Sequence, residues 1–266
     1  MKKIIFSVGL FFVINSVFAQ VGGLSASKLG TLCTETVPAQ TIEFEPFFSF
    51  ASSSRVFDKK GDVQNLFATN DSSQFFSEPG FRFSYGLMKN LEVGVSIPTD
   101  ISTVSFGAKY KLPFKGKLTF GLLVGYNSIV GNDIYVRRNA AHETSSSIGG
   151  GIILTYEFSD KFSCDFNAQY HKHLNKTSAG HDQGMCFSTD FGYYFIENVN
   201  FIIGMNYFFE DYEVFEDNSR LFTFNPGIAI EKAENFILVL NSPIDLFGKN
   251  EYKSVGFGLA LTIILD

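Results

Sequence analysis

From about residue 41 to the end of the chain, apolar and polar residues alternate with a period of two, punctuated by clusters of Gly, Asn, Asp, Pro and Lys. Successive side chains of a strand point to opposite faces, so this pattern predicts strands with one apolar and one polar face. The clearest case is Leu118-Thr119-Phe120-Gly121-Leu122-Leu123-Val124-Gly125-Tyr126, where Leu118, Phe120, Leu122, Val124 and Tyr126 share a face. Strands are expected near 41–54, 77–87, 91–98, 101–112, 118–130, 144–158, 162–174, 184–195, 199–211, 220–231, 236–245 and 253–265. About twelve strands is an even number, as a single-chain bacterial barrel requires. Within the strand at 236–245, Phe236-Ile237-Leu238-Val239-Leu240 does not alternate, which leaves Ile237 and Val239 to face the interior and touch whatever fills it.

The connections sort by length. Lys89-Asn90 and residues 113–117, 159–161, 196–198 and 232–235 are short, and between them fall longer links at about 55–76, 131–143, 175–183, 212–219 and 246–252. Pro98 to Asp100 is the one exception. Short turns on one side and longer loops on the other are the habit of outer-membrane barrels. The faces sort as well. Gly86, Gly94, Gly107, Gly121, Gly125, Gly149, Gly151, Gly192, Gly204, Gly227, Gly256 and Gly258 lie in phase with Arg82, Glu92, Lys109, Asn127 and Asp190, opposite a face of Leu, Ile, Val and Phe. With the apolar face toward lipid, small residues inside let the wall curve and leave room in the lumen. Aromatic residues gather near both strand ends, as interfacial girdles do, although the chain has no Trp. The fold class read from these features is all-β: a transmembrane, antiparallel, up-and-down β-barrel.

The start of the chain has a different character. Met1-Lys2-Lys3, an apolar run from Ile4 through Val13, and Val17-Phe18-Ala19 before Gln20 make a secretory signal peptide at residues 1–19. The apolar run is too short for a membrane helix. Residues 20–40 then form a separate small, polar piece with scattered Leu and Val, either a periplasmic leader or a segment folded into the lumen as a plug; residues 41–266 form the barrel. The expected location is therefore the outer membrane of a Gram-negative envelope. The formal net charge is −6, to which Lys2 and Lys3 contribute +2, so cleavage after Ala19 leaves −8. An acidic chain is not a nucleic-acid binder. Three cysteines, Cys33, Cys164 and Cys186, do not make a disulfide framework.

Residues 81–98, Phe81-Arg82-Phe83-Ser84-Tyr85-Gly86-Leu87-Met88-Lys89-Asn90-Leu91-Glu92-Val93-Gly94-Val95-Ser96-Ile97-Pro98, lead into Ile101–Pro113 with Phe106-Gly107-Ala108-Lys109-Tyr110-Lys111-Leu112. This stretch resembles the outer-membrane transporter family associated with the meta-pathway of phenol degradation. There a strand ending in Tyr-Gly-Leu meets a short turn, then Leu-Glu-Val-Gly-Val, then a Gly-Lys-Tyr-like strand. The resemblance is best over residues 81–113 and diffuse beyond them. It implies a barrel that takes up small hydrophobic or aromatic compounds. The chain departs from barrel practice in ending Leu265-Asp266 rather than in an aromatic residue.

Candidate chemistry lies on the inner face. Glu43, Glu45, Arg82, Glu92, Lys109, Lys111, Glu157 and Asp165 form a lumen charge cluster toward the periplasmic half. Opposite charges on neighbouring strands should pair, because an isolated buried charge is costly; the network is either structural or a constriction that selects solutes. His171 and His173 lie on one face of a strand near its outer end, with His181 and Asp182 in the following link. Imidazoles at i and i+2 can share a metal, but the reading is that of ordinary lumen and loop histidines, with no metal and no cofactor. The Ser-rich run from Thr144 to Ser147 has no nucleophile context, so no enzyme is expected. The function read from the sequence is a channel or transporter for small hydrophobic or aromatic molecules. The alternative is a non-transporting accessory barrel in a larger outer-membrane complex. The partners are accordingly lipid, a small solute and other outer-membrane proteins.

Overall fold

The computed structural model describes residues 21–25, 29–68, 72–114, 116–130, 146–174, 181–212, 217–233 and 235–265. The expected signal peptide at residues 1–19 and the whole link at 131–143 lie outside them. Strands in chain order are β1 (Ile42–Phe57), β2 (Val63–Asn65), β3 (Gln74–Met88), β4 (Leu91–Pro98), β5 (Thr103–Lys111), β6 (Leu118–Ile129) and β7 (Ser147–Ser159). They continue with β8 (Phe162–His173), β9 (His181–Ile196), β10 (Val199–Tyr212), β11 (Asp217–Ala233), β12 (Phe236–Asn241), β13 (Ile244–Lys249) and β14 (Glu251–Leu265).

Sequential neighbours pair antiparallel, and β14 returns to β1 from Ile42↔Leu265 to Phe57↔Glu251, which closes the sheet. Closure satisfies every ladder from within the protein, the condition for crossing a bilayer with strands. The closed wall has twelve staves: β2 is a three-residue flap on β1, and β12 and β13 are two halves of one stave that both lie between β11 and β14. The stave breaks at Ser242-Pro243, where Pro243 cannot donate to a ladder.

The alternation of β6 reports the two environments. Leu118, Leu122, Val124 and Tyr126 are exposed outward, whereas Gly121 and Leu123 are buried inside. Aromatic side chains meet one another on the outer surface beside the short turns, as in Tyr156 against Phe158, Phe158 against Phe162, and Phe195 against Phe201. The turns use residues that tolerate positive φ, Asn90 at 70° and Asn250 at 53°, with Ile101 at 52° an exception.

Four of the longer links are shorter than the sequence suggests, the first because β1 runs to Phe57 and β3 begins at Gln74. β9 begins at His181, β10 and β11 extend to Tyr212 and from Asp217, and the last hairpin turns on Asn250 alone. The added residues, among them Gln183, Asn218, Ser219 and Glu251, are mostly polar, so their sequence reads as loop although they pair as strand.

Candidate lumen site

Residues 21–25 and 29–40 run inside the barrel before the chain turns at Gln40 (φ 67°) into β1. The segment has no sheet of its own, so its backbone groups need partners. Inward side chains of β4 and β7 to β9 supply them. Glu92 accepts from Ser25 N (2.6 Å), Ser25 Oγ (2.7 Å) and Val37 N (3.0 Å). Asp190 accepts from Leu29 N (3.1 Å) and Thr31 N (3.3 Å). Asn167 takes both groups of Leu32, accepting from its N–H at 2.7 Å and donating to its carbonyl at 2.6 Å, as a paired strand would. Gln169 accepts from Val21 N at 2.8 Å. Thr155 Oγ1 accepts from Thr34 N at 3.0 Å and donates a hydrogen bond to Asp165 at 2.6 Å. Ala39 forms a parallel bridge to Gly86, and Gln40 N donates to the Gly86 carbonyl at 2.7 Å. Hydrogen bonds to ionised acceptors are the stronger kind, roughly 1.5–3 kcal/mol each.

Close approach of this backbone depends on missing side chains. Gly94, Gly107, Gly125 and Gly149 are in direct register across β4 to β7 and make a groove one residue wide. A Cβ at Gly94 would overlap the Gly23 carbonyl, and one at Gly107 would meet Leu24 Cγ at 2.8 Å. Beside the groove Val21, Leu24 and Leu32 pack on Leu123 and Ile153 in a small internal core. Removing each apolar side chain from water contributes about 1.5–3 kcal/mol.

The expected charge cluster resolves into separate units. Arg82 Nη2 donates to Glu43 at 3.0 Å and to Glu45 at 2.7 Å, and Thr262 Oγ1 donates to the same Glu45 oxygen at 2.6 Å, so the group spans the β14–β1–β3 seam. Glu92 and Lys109 face each other across β4 and β5 with Nζ to Oε2 at 3.4 Å, both wholly buried beneath Ser25, whose carbonyl and hydroxyl accept from Lys109 at 3.1 and 2.9 Å. Asp165 is buried with Thr155. Lys111 and Glu157 join none of these ion pairs among the described residues; Glu157 is exposed at the end of β7.

The segment leans on one side of the barrel. Against the other side, formed by β1, β3 and β10 to β14, there is a cavity of about 330 Å³. Its lining includes Leu24, Leu29 and Leu32 of the segment, the apolar wall residues Phe47, Phe76, Leu221, Val239 and Tyr252, and the carboxyl groups of Glu78, Asp245 and Glu251. Val239 lies in a buried cluster with Ile202 and Ala229, and Leu29 and Ile237 pack against that cluster, so the non-alternating stretch of β12 does meet the interior. Near the loop end of β8, His171 and His173 each place Nε2 2.9 Å from Glu210. The side chain of His181 lies outside the described residues.

Sequence reasoning missed Gln169, Asn167 and Thr155 as holders of the segment, and Glu210 as the partner of the histidines. A signal for the first three is present, since they alternate in phase with the inner-face glycines. Glu210 is in phase with the inner-face Gly204 as well, but no sequence signal shows that it reaches across β9 to the histidines.

A closed barrel with an apolar outer face and a polar, partly filled interior is a transmembrane β-barrel of the kind that outer-membrane channels and porins share. The chain belongs to the family described as "Putative MetA-pathway of phenol degradation", whose model matches residues 56–262. An outer-membrane channel from Pseudomonas putida F1 superposes with a TM-score of 0.71 at 12% identity, covering 87% of this chain and 98% of that one. The NanC porin gives 0.56 at 8% identity, with 83% and 98% covered. The KdgM porin gives 0.51 at 9% identity, with 84% and 98% covered. Comparison with curated protein sequences gives no match.

Proposed function

We propose that the protein is an outer-membrane channel for small hydrophobic or aromatic molecules, with residues 20–40 as a fixed plug that narrows the lumen to one side. The observation that carries this reading is the asymmetry of the interior. Apart from Ser84 and Gly86 on β3, the groups that hold the segment come from β4 to β9, while the 330 Å³ cavity opens mainly between the segment and β1, the outer half of β3 and β10 to β14. An apolar cavity of about 150 Å³ holds benzene; twice that volume accommodates a one- or two-ring solute. Apolar walls with a few polar groups are the usual make-up of a small-molecule site. Membership in a family named for phenol degradation agrees with an aromatic solute. The basic start and short apolar run of residues 1–19 supply the export signal.

The test is uptake of a labelled aromatic solute by intact Gram-negative cells that lack their own general porins and produce this protein. Uptake above that of barrel-free cells, lost in Leu221→Arg and Val239→Arg, is expected. Uptake equal to barrel-free cells, with the barrel folded and surface-accessible, would overturn the channel reading and favour an accessory barrel.

A further inference from the structure

We propose that His171, His173 and Glu210 form a three-ligand site for a divalent first-row transition ion, with Zn²⁺ the ion the donor set fits best. His171 and His173 are two residues apart on β8 and therefore share its inner face. Glu210 comes from β10, on the far side of β9. The residue of β9 between them is Gly184, in direct register with both His171 and Glu210. A Cβ there would overlap Glu210 Oε2 and His171 Cε1, so the glycine is what lets side chains from β8 and β10 meet across the intervening strand.

Both imidazoles present Nε2 to the same carboxylate, His171 to Oε2 and His173 to Oε1, each at 2.9 Å. The three ligand atoms lie within 4.8 Å of one another, with His171 and Glu210 buried and His173 half-buried. His171 Nδ1 is buried with no hydrogen-bond partner among the described residues. Ligand atoms about 2.1 Å from a tetrahedral ion stand about 3.4 Å apart. The ion thus needs a movement on the order of 1 Å. Two imidazoles and one carboxylate suit Zn²⁺, whereas Mg²⁺ and Ca²⁺ prefer all-oxygen sites. Three protein ligands leave a fourth position for water. Bound there, the ion ties β8 to β10 across β9 at the loop end of the barrel, a contact that owes nothing to solute passage and stands apart from the channel reading.

The experiment is a Zn²⁺ titration of the purified full chain, without a polyhistidine tag, by calorimetry, with Mg²⁺ and Ca²⁺ as comparators. One equivalent of Zn²⁺ should bind, and affinity should fall at least about tenfold in His173→Gln, His171→Ala and Glu210→Gln, and in Gly184→Ala through loss of the approach. The thermal midpoint of the wild-type barrel should rise with Zn²⁺ and that of His173→Gln should not. His173→Gln sits at the half-buried edge of the group, so it keeps the test available if the buried variants fail to fold. Cobalt substitution of the wild type adds a reading independent of any variant: intense visible bands of a four-coordinate ion support the site. No Zn²⁺ uptake, or uptake unchanged in His173→Gln and His171→Ala, overturns it.

Discussion

The Glu92 carboxylate accepts both the backbone N–H and the hydroxyl of Ser25, at 2.6 and 2.7 Å, while Lys109 stands 3.4 Å away on the next strand. One buried ion pair therefore fastens the N-terminal segment to the wall. Glu92→Gln leaves Lys109 as an unpaired buried charge and weakens three acceptor contacts. Breaking such a pair costs about 3–5 kcal/mol, and here the segment can lift off instead of the barrel unfolding. Expected are a larger single-channel conductance and protease cleavage within residues 20–40, with the closed barrel retained. An unchanged conductance would show that Glu92 does not hold the segment.

Lys109 and Lys111 look equivalent in the sequence, two residues apart on the inner phase of β5. Only Lys109 is buried in an ion pair. Lys109→Met should therefore alter conductance or ion preference, Lys111→Gln should leave both near wild type, and the double variant should match Lys109→Met. An effect of Lys111→Gln as large as that of Lys109→Met would place the constriction elsewhere.

These two lysines show what the sequence could reveal of the fold and what it could not. Strand phase is legible because lipid demands an apolar side chain at every second position, as in β6. Glu92 and Lys109, on adjacent short-turned strands, could be expected to pair. Height around the barrel is set by shear, which one strand does not record. For that reason Glu157 reads as part of the cluster but is exposed, and the row Gly94, Gly107, Gly125 and Gly149 reads as scattered small residues rather than one groove. The strand expected at 199–211 contains Glu210 in the inner phase of Gly204, but its meeting with His171 across β9 depends on the same unrecorded height.

Asp58 caps the exposed turn between β1 and β2. Its carboxylate accepts from Lys60 N at 2.8 Å, Asp62 N at 3.0 Å and Gln64 Nε2 at 3.0 Å, and these bonds, that from Lys60 foremost, hold its pKa below the usual carboxylate range. A lowered folded-state value means that the capping contribution is present above the usual pKa and is lost as pH falls through the lowered one. The Lys60 amide resonance should titrate with a midpoint below that of an unfolded peptide of the same sequence, and Asp58→Asn should abolish the titration. A midpoint at or above the peptide value would contradict the cap.

Ile101 holds φ at 52° in the tight turn between β4 and β5, with its side chain exposed. A β-branched residue in this region is strained by about 1–2 kcal/mol, which Asn or Gly avoids. Ile101→Asn should raise the temperature at which the folded barrel converts to the slow-migrating unfolded form on heating. A lower midpoint would mean that Ile101 contributes contacts outweighing its strain.

The glycine groove separates the N-terminal segment from the barrel most cleanly. A β-branched residue suits a strand, and Gly107 faces inward, so Gly107→Val should not harm the wall. Its added carbons, however, enter the space of Leu24 Cγ, 2.8 Å from the Cβ position, and of the Gly22 carbonyl. Backbone on both sides of the contact leaves little room to yield, and the freer partner is the segment, which must lift. Conductance should rise toward that of a chain lacking residues 20–40, and in the shortened chain Gly107→Val should add nothing further. Gly30→Ala is the control, because a Cβ there meets nothing within 4 Å. Equal conductance of Gly107→Val and wild type would show that the segment does not limit passage, and an additional effect in the shortened chain would place the valine itself in the path of the ions.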